Sequence, residues 1–244
     1  MSRYFIEVSY KGSSYSGFQK QHNANSVQAE LEKALGIYYK QQFDLTGSSR
    51  TDAGVHALQN FFHFDTDLII KDDGYNLNAI LPDDIVVQRI FKVPDDAHCR
   101  FDAKSREYHY FIYQHKDPFL QGRALFVPYA LDLERLQQAA REILVHKDFT
   151  SFCKRNTQVK TFFCDILISE WVQLDNCLVY KIKANRFLRG MVKGLVGTML
   201  LAGKKKISLE EFTAIIEAKD CTRADFSVSP DGLFLVEVAF PDHF

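Results

Sequence analysis

The sequence predicts an α+β fold of two ferredoxin-like halves, each running β-α-β-β-α-β, with antiparallel sheets, helices on one face and a cleft between the halves. Three observations carry this expectation. The order strand, helix, two strands, helix, strand occurs twice, with one extra helix on the second pass. No Pro-rich linker, low-complexity tract or long charge run interrupts that order. The 244 residues are 46% hydrophobic and 25% charged, an ordinary soluble composition and enough chain to bury a sizeable core. The halves are expected at residues 1–100 and 101–244, and the cleft between them is the natural place for a site.

The first half opens with a strand from Tyr4 to Tyr10. A helix begins near Val27, where Val27, Leu31, Leu35 and Tyr38 recur at helical spacing. Asn25 or Ser26 caps it, since a short polar side chain can accept from the free N–H groups of the first turn. Gln42 to Thr46 and Leu58 to Phe64 are strand-like. A short helix around Tyr75 to Leu81 stops at Pro82. Ile85 to Val93, rich in β-branched residues, closes this half.

The second half starts with Glu107 to Tyr113, a strand with aromatics on both faces. Asp132 caps a helix bearing Leu133, Leu136, Ala140 and Ile143. Phe162 to Val172 and Leu178 to Ala184 form a strand pair around the turn Asp175-Asn176. A helix runs from about Arg186 to Leu201, and a second begins at the capping box Ser208-Leu209-Glu210-Glu211. Ser229-Pro230-Asp231-Gly232 is a turn, and Leu233 to Phe240 is the last strand.

Bulk properties exclude several classes. Five cysteines, odd in number and without a C-x-x-C pair, argue against a disulfide framework and a structural zinc site. No apolar signal region or membrane-length stretch is present, so a cytoplasmic protein without membrane contact is expected. The net charge of −1 argues against a nucleic-acid partner, although a basic groove can exist on a neutral protein. The part before about residue 100 is slightly acid-rich and the part after it slightly base-rich.

The most informative segment is Gly47-Ser48-Ser49-Arg50-Thr51-Asp52-Ala53-Gly54-Val55-His56. It sets one acid beside one guanidinium in a small-residue loop. A loop Asp commonly caps a turn, but here no clear helix start follows, and the glycines leave room for a large molecule to approach. Arg50 cannot be deprotonated, so it suits a carboxylate that must stay charged in a closed site. Ser48, Ser49, Asp52 and His56 lack the G-x-S-x-G elbow of a serine hydrolase. His56, His63, Asp65 and His98 show no metal-ligand spacing, and no metal is expected.

Three further stretches carry chemistry-bearing residues. In Arg106 to Tyr113 one tyrosine can stack on a base; the plain alternative is an aromatic strand packed on both faces. In Lys183 to Gly194, Arg186, Arg189 and Lys193 alternate with a core face of Phe187, Met191 and Leu195. They read as a solvated basic face or as phosphate contacts. Gly203-Lys204-Lys205-Lys206, with Lys154, Arg155 and Lys160, reads as a solvated turn or a phosphate-tracking surface.

At Ser49 to His56, with Tyr108 and Asn185 to Gly197, the chain resembles the TruA family of tRNA pseudouridine synthases, over essentially its whole length. Ser16-Gly17-Phe18-Gln19-Lys20-Gln21 is similar to that family's early G-aromatic-Q-basic-Q run. The resemblance implies that Asp52 is the catalytic carboxylate, that Arg50 orients it, and that Tyr108 stacks on the target uracil. It implies that Lys193 pairs with Asp52, that Leu233 packs against the flipped base, and that Arg186 and Arg189 bind the substrate. It further implies a cofactor-free homodimer acting on tRNA uridines of the anticodon arm, at positions 38, 39 and 40. Ser49 departs from the family's usual Gly and Lys193 from its Arg. The alternatives are a non-catalytic RNA-binding module and a paralogue with a shifted RNA target.

Overall fold

The computed structural model describes residues 1–71, 74–155, 157 and 159–241. The chain is a mixed α/β protein whose strands pair mostly antiparallel, and it divides into two units. One unit comprises Met1–Lys104 with Phe234–Phe244, the other Ser105–Leu233.

In the N-terminal unit, β1 (Ser2–Tyr10) lies between β3 (His56–Thr66) and β4 (Ile85–Val93), antiparallel to both. Ile6 faces Phe62 on one side and Ile90 on the other. β1 buries residues of both faces: Phe5 meets Phe61, Phe91 and Phe240, while Tyr4 stacks on Phe64. Such aromatic neighbours add roughly 0.5–1.5 kcal/mol per pair beyond their burial. α1 (Val27–Tyr39) turns Val27, Leu31, Ala34 and Leu35 inward, and the Ser26 hydroxyl accepts from the Ala29 N–H as expected of its cap.

Two expected elements of this unit differ. Instead of a strand over Gln42–Thr46, β2 is only Thr46–Gly47, paired to His63 and Phe62 of β3. The reason is that α1 side chains take the preceding backbone groups. The Leu45 N–H donates to Glu32 Oε1 and the Leu45 carbonyl accepts from Gln28 Nε2. α2 is Gly74–Asn78, and the chain then turns through Leu81. The last strand, β9 (Leu233–Ala239), pairs in parallel with the start of β3, Phe234 opposite His56 and Leu235 opposite Ala57. Element order alone assigns that strand to the second half.

In the other unit, β8 (Cys177–Ala184) lies between β5 (Ser105–Tyr113) and β7 (Ile166–Leu174), antiparallel to both. β6 (Leu125–Phe126) adds to β5 in parallel. The hairpin turn is the expected Asp175-Asn176, with Asp175 at φ 49. α3 (Leu133–Val145) is capped by Asp132, and α5 (Leu209–Glu217) by the Ser208/Glu211 capping box.

α4 (Met191–Gly203) starts five residues later than the sequence pattern suggests. Gly190 holds φ 73, which ends any helix running into it, and Arg186–Arg189 is loop. The loop is tied down by the Lys154 N–H donating to the Arg189 carbonyl and the Asn185 N–H to the Asp165 carbonyl. α4 is buried nearly all round. A Cβ on Gly197 would lie 2.1 Å from the Asp225 carbonyl oxygen, so only glycine permits that approach.

Candidate active site

Asp52 sits on the loop from Ser48 to Val55 that joins β2 to β3. The loop closes with a turn in which the Asp52 carbonyl accepts from the Val55 N–H at 3.2 Å. Gly54, at φ 79, supplies the positive angle that a type II turn needs at its third position.

Two sets of contacts hold the loop. Along one side runs the segment Gly12–Phe18. The Phe18 N–H donates to the Thr51 carbonyl (3.1 Å), the Gly54 N–H to the Tyr15 carbonyl (3.3 Å), and the Gly12 N–H to His56 Nδ1 (3.1 Å). Glycine is required for this approach, because a Cβ on Gly12 would fall 2.0 Å from the Val55 carbonyl oxygen. On the other side stands Asn60 of β3, fully buried. Its Oδ1 accepts from the Ser49 N–H (3.2 Å), and its Nδ2 donates to the Ser49 carbonyl (2.8 Å) and the Tyr10 hydroxyl (3.2 Å). The Tyr10 hydroxyl bonds Thr51 Oγ1 at 2.7 Å. Both neighbours of Arg50 are therefore fixed from beneath. The sequence reading missed Asn60 and Tyr10, whose only signal is polar atoms inside apolar strands.

Asp52 is half-buried and Arg50 exposed. Among the described residues of this unit, the two side chains form no ion pair with each other. Arg50 lines a polar cavity of about 350 Å³ with Gln19, Asp44, His98, Arg100 and Phe101. Phe101 is 75% exposed, with the Arg100 guanidinium 5.9 Å from its ring centre and the His98 ring 4.1 Å away. Two exposed cations beside a bare aromatic face suit a phosphate and a base.

The serine-hydrolase arrangement is absent. Ser48 and Ser49 are buried, and His56 Nδ1 is taken by the Gly12 N–H while its ring stacks on Phe234. Among the described residues the Ser48 and Ser49 hydroxyls have no hydrogen-bond partner, a cost of roughly 1–3 kcal/mol each where water is shut out.

Of the residues weighed as metal ligands, Asp65 is held by Arg3 at 2.7 and 2.8 Å. His63 and His98 instead converge with Cys99, a residue that sequence spacing does not single out. Burial, then the neighbouring His98 and Arg3, pushes His63 down to about 4, so it is neutral at pH 7.

The other expected site residues belong to the second unit. Tyr108 lies on β5, opposite Ile182 of β8, and is buried, its ring edge-on to Phe187 at 5.0 Å. Leu233 is buried and follows the single 3-10 turn of Pro230–Gly232, where a Cβ on Gly232 would meet the Phe111 carbonyl oxygen at 2.7 Å. Arg186 is half-buried and Arg189 exposed in the loop before α4. Lys193, half-buried, is the third residue of α4. A cation in the first turn opposes the helix dipole by roughly 0.3–1 kcal/mol, a placement that favours an anion nearby. In the basic turn, Lys205 is paired with Asp132 at 3.2 Å, so it is only partly free for phosphate.

The profile of the family described as tRNA pseudouridine synthase matches residues 6–102 and 139–241. A protein of Bacteroides thetaiotaomicron named tRNA pseudouridine synthase A is 43% identical over 99% of this chain and 92% of its own length. A Parabacteroides distasonis protein of the same name is 42% identical, over 99% and 97%. One from Staphylococcus aureus is 37% identical, over 97% and 90%.

Proposed function

The chain belongs to the tRNA pseudouridine synthase family, and on that premise we propose that it isomerises uridine to pseudouridine in tRNA, with Asp52 as the catalytic carboxylate. One observation carries the reading at the level of residues. An acid is held on a loop braced from two sides, and among the described residues of its own unit its carboxylate has no hydrogen-bond or ion-pair partner. A carboxylate ready for a substrate has this character; a turn-capping Asp would be bonded to its own loop.

Substrate and product are isomers, so the reaction balances without an oxidant or added group. The N1–C1′ bond breaks, the base turns, and C5 bonds to C1′ with loss of the C5 proton to solvent and protonation of N1. Asp52 serves either by covalent attack on C1′ or C6 or by removing a sugar proton as general base. The uridine must first leave its stack, which costs a few kcal/mol. Stacking on Tyr108, worth roughly 1–3 kcal/mol, offsets a cost of that size. In this reading Arg50, which forms no ion pair with Asp52 among the described residues of their unit, helps open the RNA; Lys193 is the cationic partner of Asp52, Leu233 packs against the turned base, and Arg186 and Arg189 bind phosphate. The target lies in the anticodon arm, and the enzyme works as a cytoplasmic homodimer. Two ferredoxin-like halves are the fold we assign. The antiparallel order β4-β1-β3 with β2 outside β3 supports that assignment for the N-terminal unit.

The test uses tRNA carrying tritium at uridine C5. Asp52→Asn is expected to fold and bind tRNA while releasing no tritium. Release at the wild-type rate from that variant removes Asp52 from the chemistry. Binding by the wild-type protein without any product returns the reading to a non-catalytic RNA-binding module.

A further inference from the structure

We propose that His63, His98 and Cys99 form a site for a thiophilic divalent metal of the Zn²⁺ type, placed under the start of the Asp52 loop. His63 comes from β3 and the other two from the turn after β4. One donor atom of each lies within 4.8 Å of the others. In a zinc tetrahedron, with Zn–S about 2.3 Å and Zn–N about 2.0–2.1 Å, donors stand roughly 3.3–3.6 Å apart. His63 Nδ1 is already 3.2 Å from Cys99 Sγ. Closing the rest of the triangle therefore asks for shifts on the order of 1 Å, within reach of a half-buried His98 ring.

The surroundings hold the donors in place. The His98 N–H donates to Asp102 Oδ2 at 2.6 Å, which fixes the turn. Among the described residues, His98 Nδ1 accepts from the Arg100 and Phe101 N–H groups, at 3.1 and 3.4 Å. Coordination through His98 displaces no more than those contacts. Arg3, a cation whose charge reaches His63, is paired with Asp65 at 2.7 Å. His63 and Cys99 are closed off from solvent, while His98 borders the polar cavity of Arg50 and Arg100. That side gives an entry path and an open position for a water ligand. Two imidazoles with one thiolate is a donor set that favours zinc over calcium or magnesium. On binding, the Cys99 S–H bond breaks, its proton passes to solvent, and a metal–sulfur bond forms. In the metal-free chain the Cys99 S–H donates to the Thr46 carbonyl at 3.2 Å; metal binding exchanges that hydrogen bond for the metal–sulfur bond and ties β3 to the turn after β4.

The experiment titrates Co²⁺ into the full, reduced chain after chelator treatment. One equivalent is expected to produce a thiolate-to-Co²⁺ charge-transfer band in the near ultraviolet, with visible bands of tetrahedral intensity. Zn²⁺ should abolish these and raise the melting temperature. Cys99→Ser should lose the charge-transfer band, and His98→Ala should weaken Co²⁺ binding by roughly tenfold or more, each with wild-type circular dichroism. The proposal is overturned by a wild-type chain that gives no band, or by a band that survives Cys99→Ser. No tRNA enters the measurement, so its outcome stands apart from the assignment of the reaction.

Discussion

Replacing Asn60 with alanine removes the brace under the Asp52 loop without touching a residue that meets substrate. The Asn60 amide makes four hydrogen bonds: from the Ser49 and Phe61 N–H groups, and to the Ser49 carbonyl and Tyr10 hydroxyl. Truncation strands the two Ser49 main-chain groups away from water, at roughly 1–3 kcal/mol each. Tyr10 keeps Thr51, which limits its share of the loss. The sum is about 2–6 kcal/mol, or roughly 4–24 °C in melting temperature for a chain of this size. Activity should fall further than the folded fraction does. A displacement of about 1 Å in a catalytic group costs on the order of 100-fold in rate. Thermal melts followed by circular dichroism give the first quantity. Single-turnover pseudouridine formation, run well below the variant's melting point, gives the second. Leu58→Ala on the same strand, at a side chain 55% exposed, is the control and should stay within about 0.5 kcal/mol. An Asn60→Ala protein that melts within about 2 °C of wild type and turns over within about threefold of it refutes the argument that this amide positions the loop.

Other consequences follow from the same contacts. Gly12→Ala puts a Cβ 2.0 Å from the Val55 carbonyl oxygen, a main-chain atom that cannot swing aside, and should cost more than about 3 kcal/mol; a stable Gly12→Ala chain in urea titration contradicts the close approach. Gly122→Ala, with φ +69 and nothing near its Cβ, should lose only about 1–2 kcal/mol. tRNA affinity should fall linearly on a log–log plot against salt, and Arg186→Ala and Arg189→Ala should each reduce the slope by about 1; a flat response refutes phosphate contact there. Burial pushes the Cys164 thiol up to about 12, so at pH 8 it stays protonated. Alkylation followed by mass spectrometry should therefore find the half-exposed Cys221 modified first, and early labelling of Cys164 contradicts its burial.

Much of the fold was legible because it is locally encoded. The Ser26 cap of α1, the Asp132 cap of α3, the Ser208/Glu211 box of α5 and the Asp175-Asn176 hairpin all depend on groups within a few residues of one another. A one-dimensional pattern records such neighbours. The elements that departed from the pattern did so through distant partners. β2 is short because Gln28 and Glu32, on a helix before it, capture the Leu45 main chain. α4 starts late because Gly190 is left-handed and its loop is anchored to Lys154.

The same division runs through the site. By itself the sequence determined the family, the acid on its glycine-bounded loop and the chemistry such an acid can do, since these lie in contiguous residue types. Only the tertiary structure decided what holds that acid. It showed the Gly12–Phe18 segment on one flank, Asn60 and Tyr10 beneath, and Arg50 lining a cavity with Arg100, without an ion pair to Asp52 among the described residues of that unit. It also brought Cys99 to His63 across 36 positions of chain. Hydrogen bonds and metal ligands are chosen by distance in space, and β3 and the turn after β4 become neighbours only when the sheet forms.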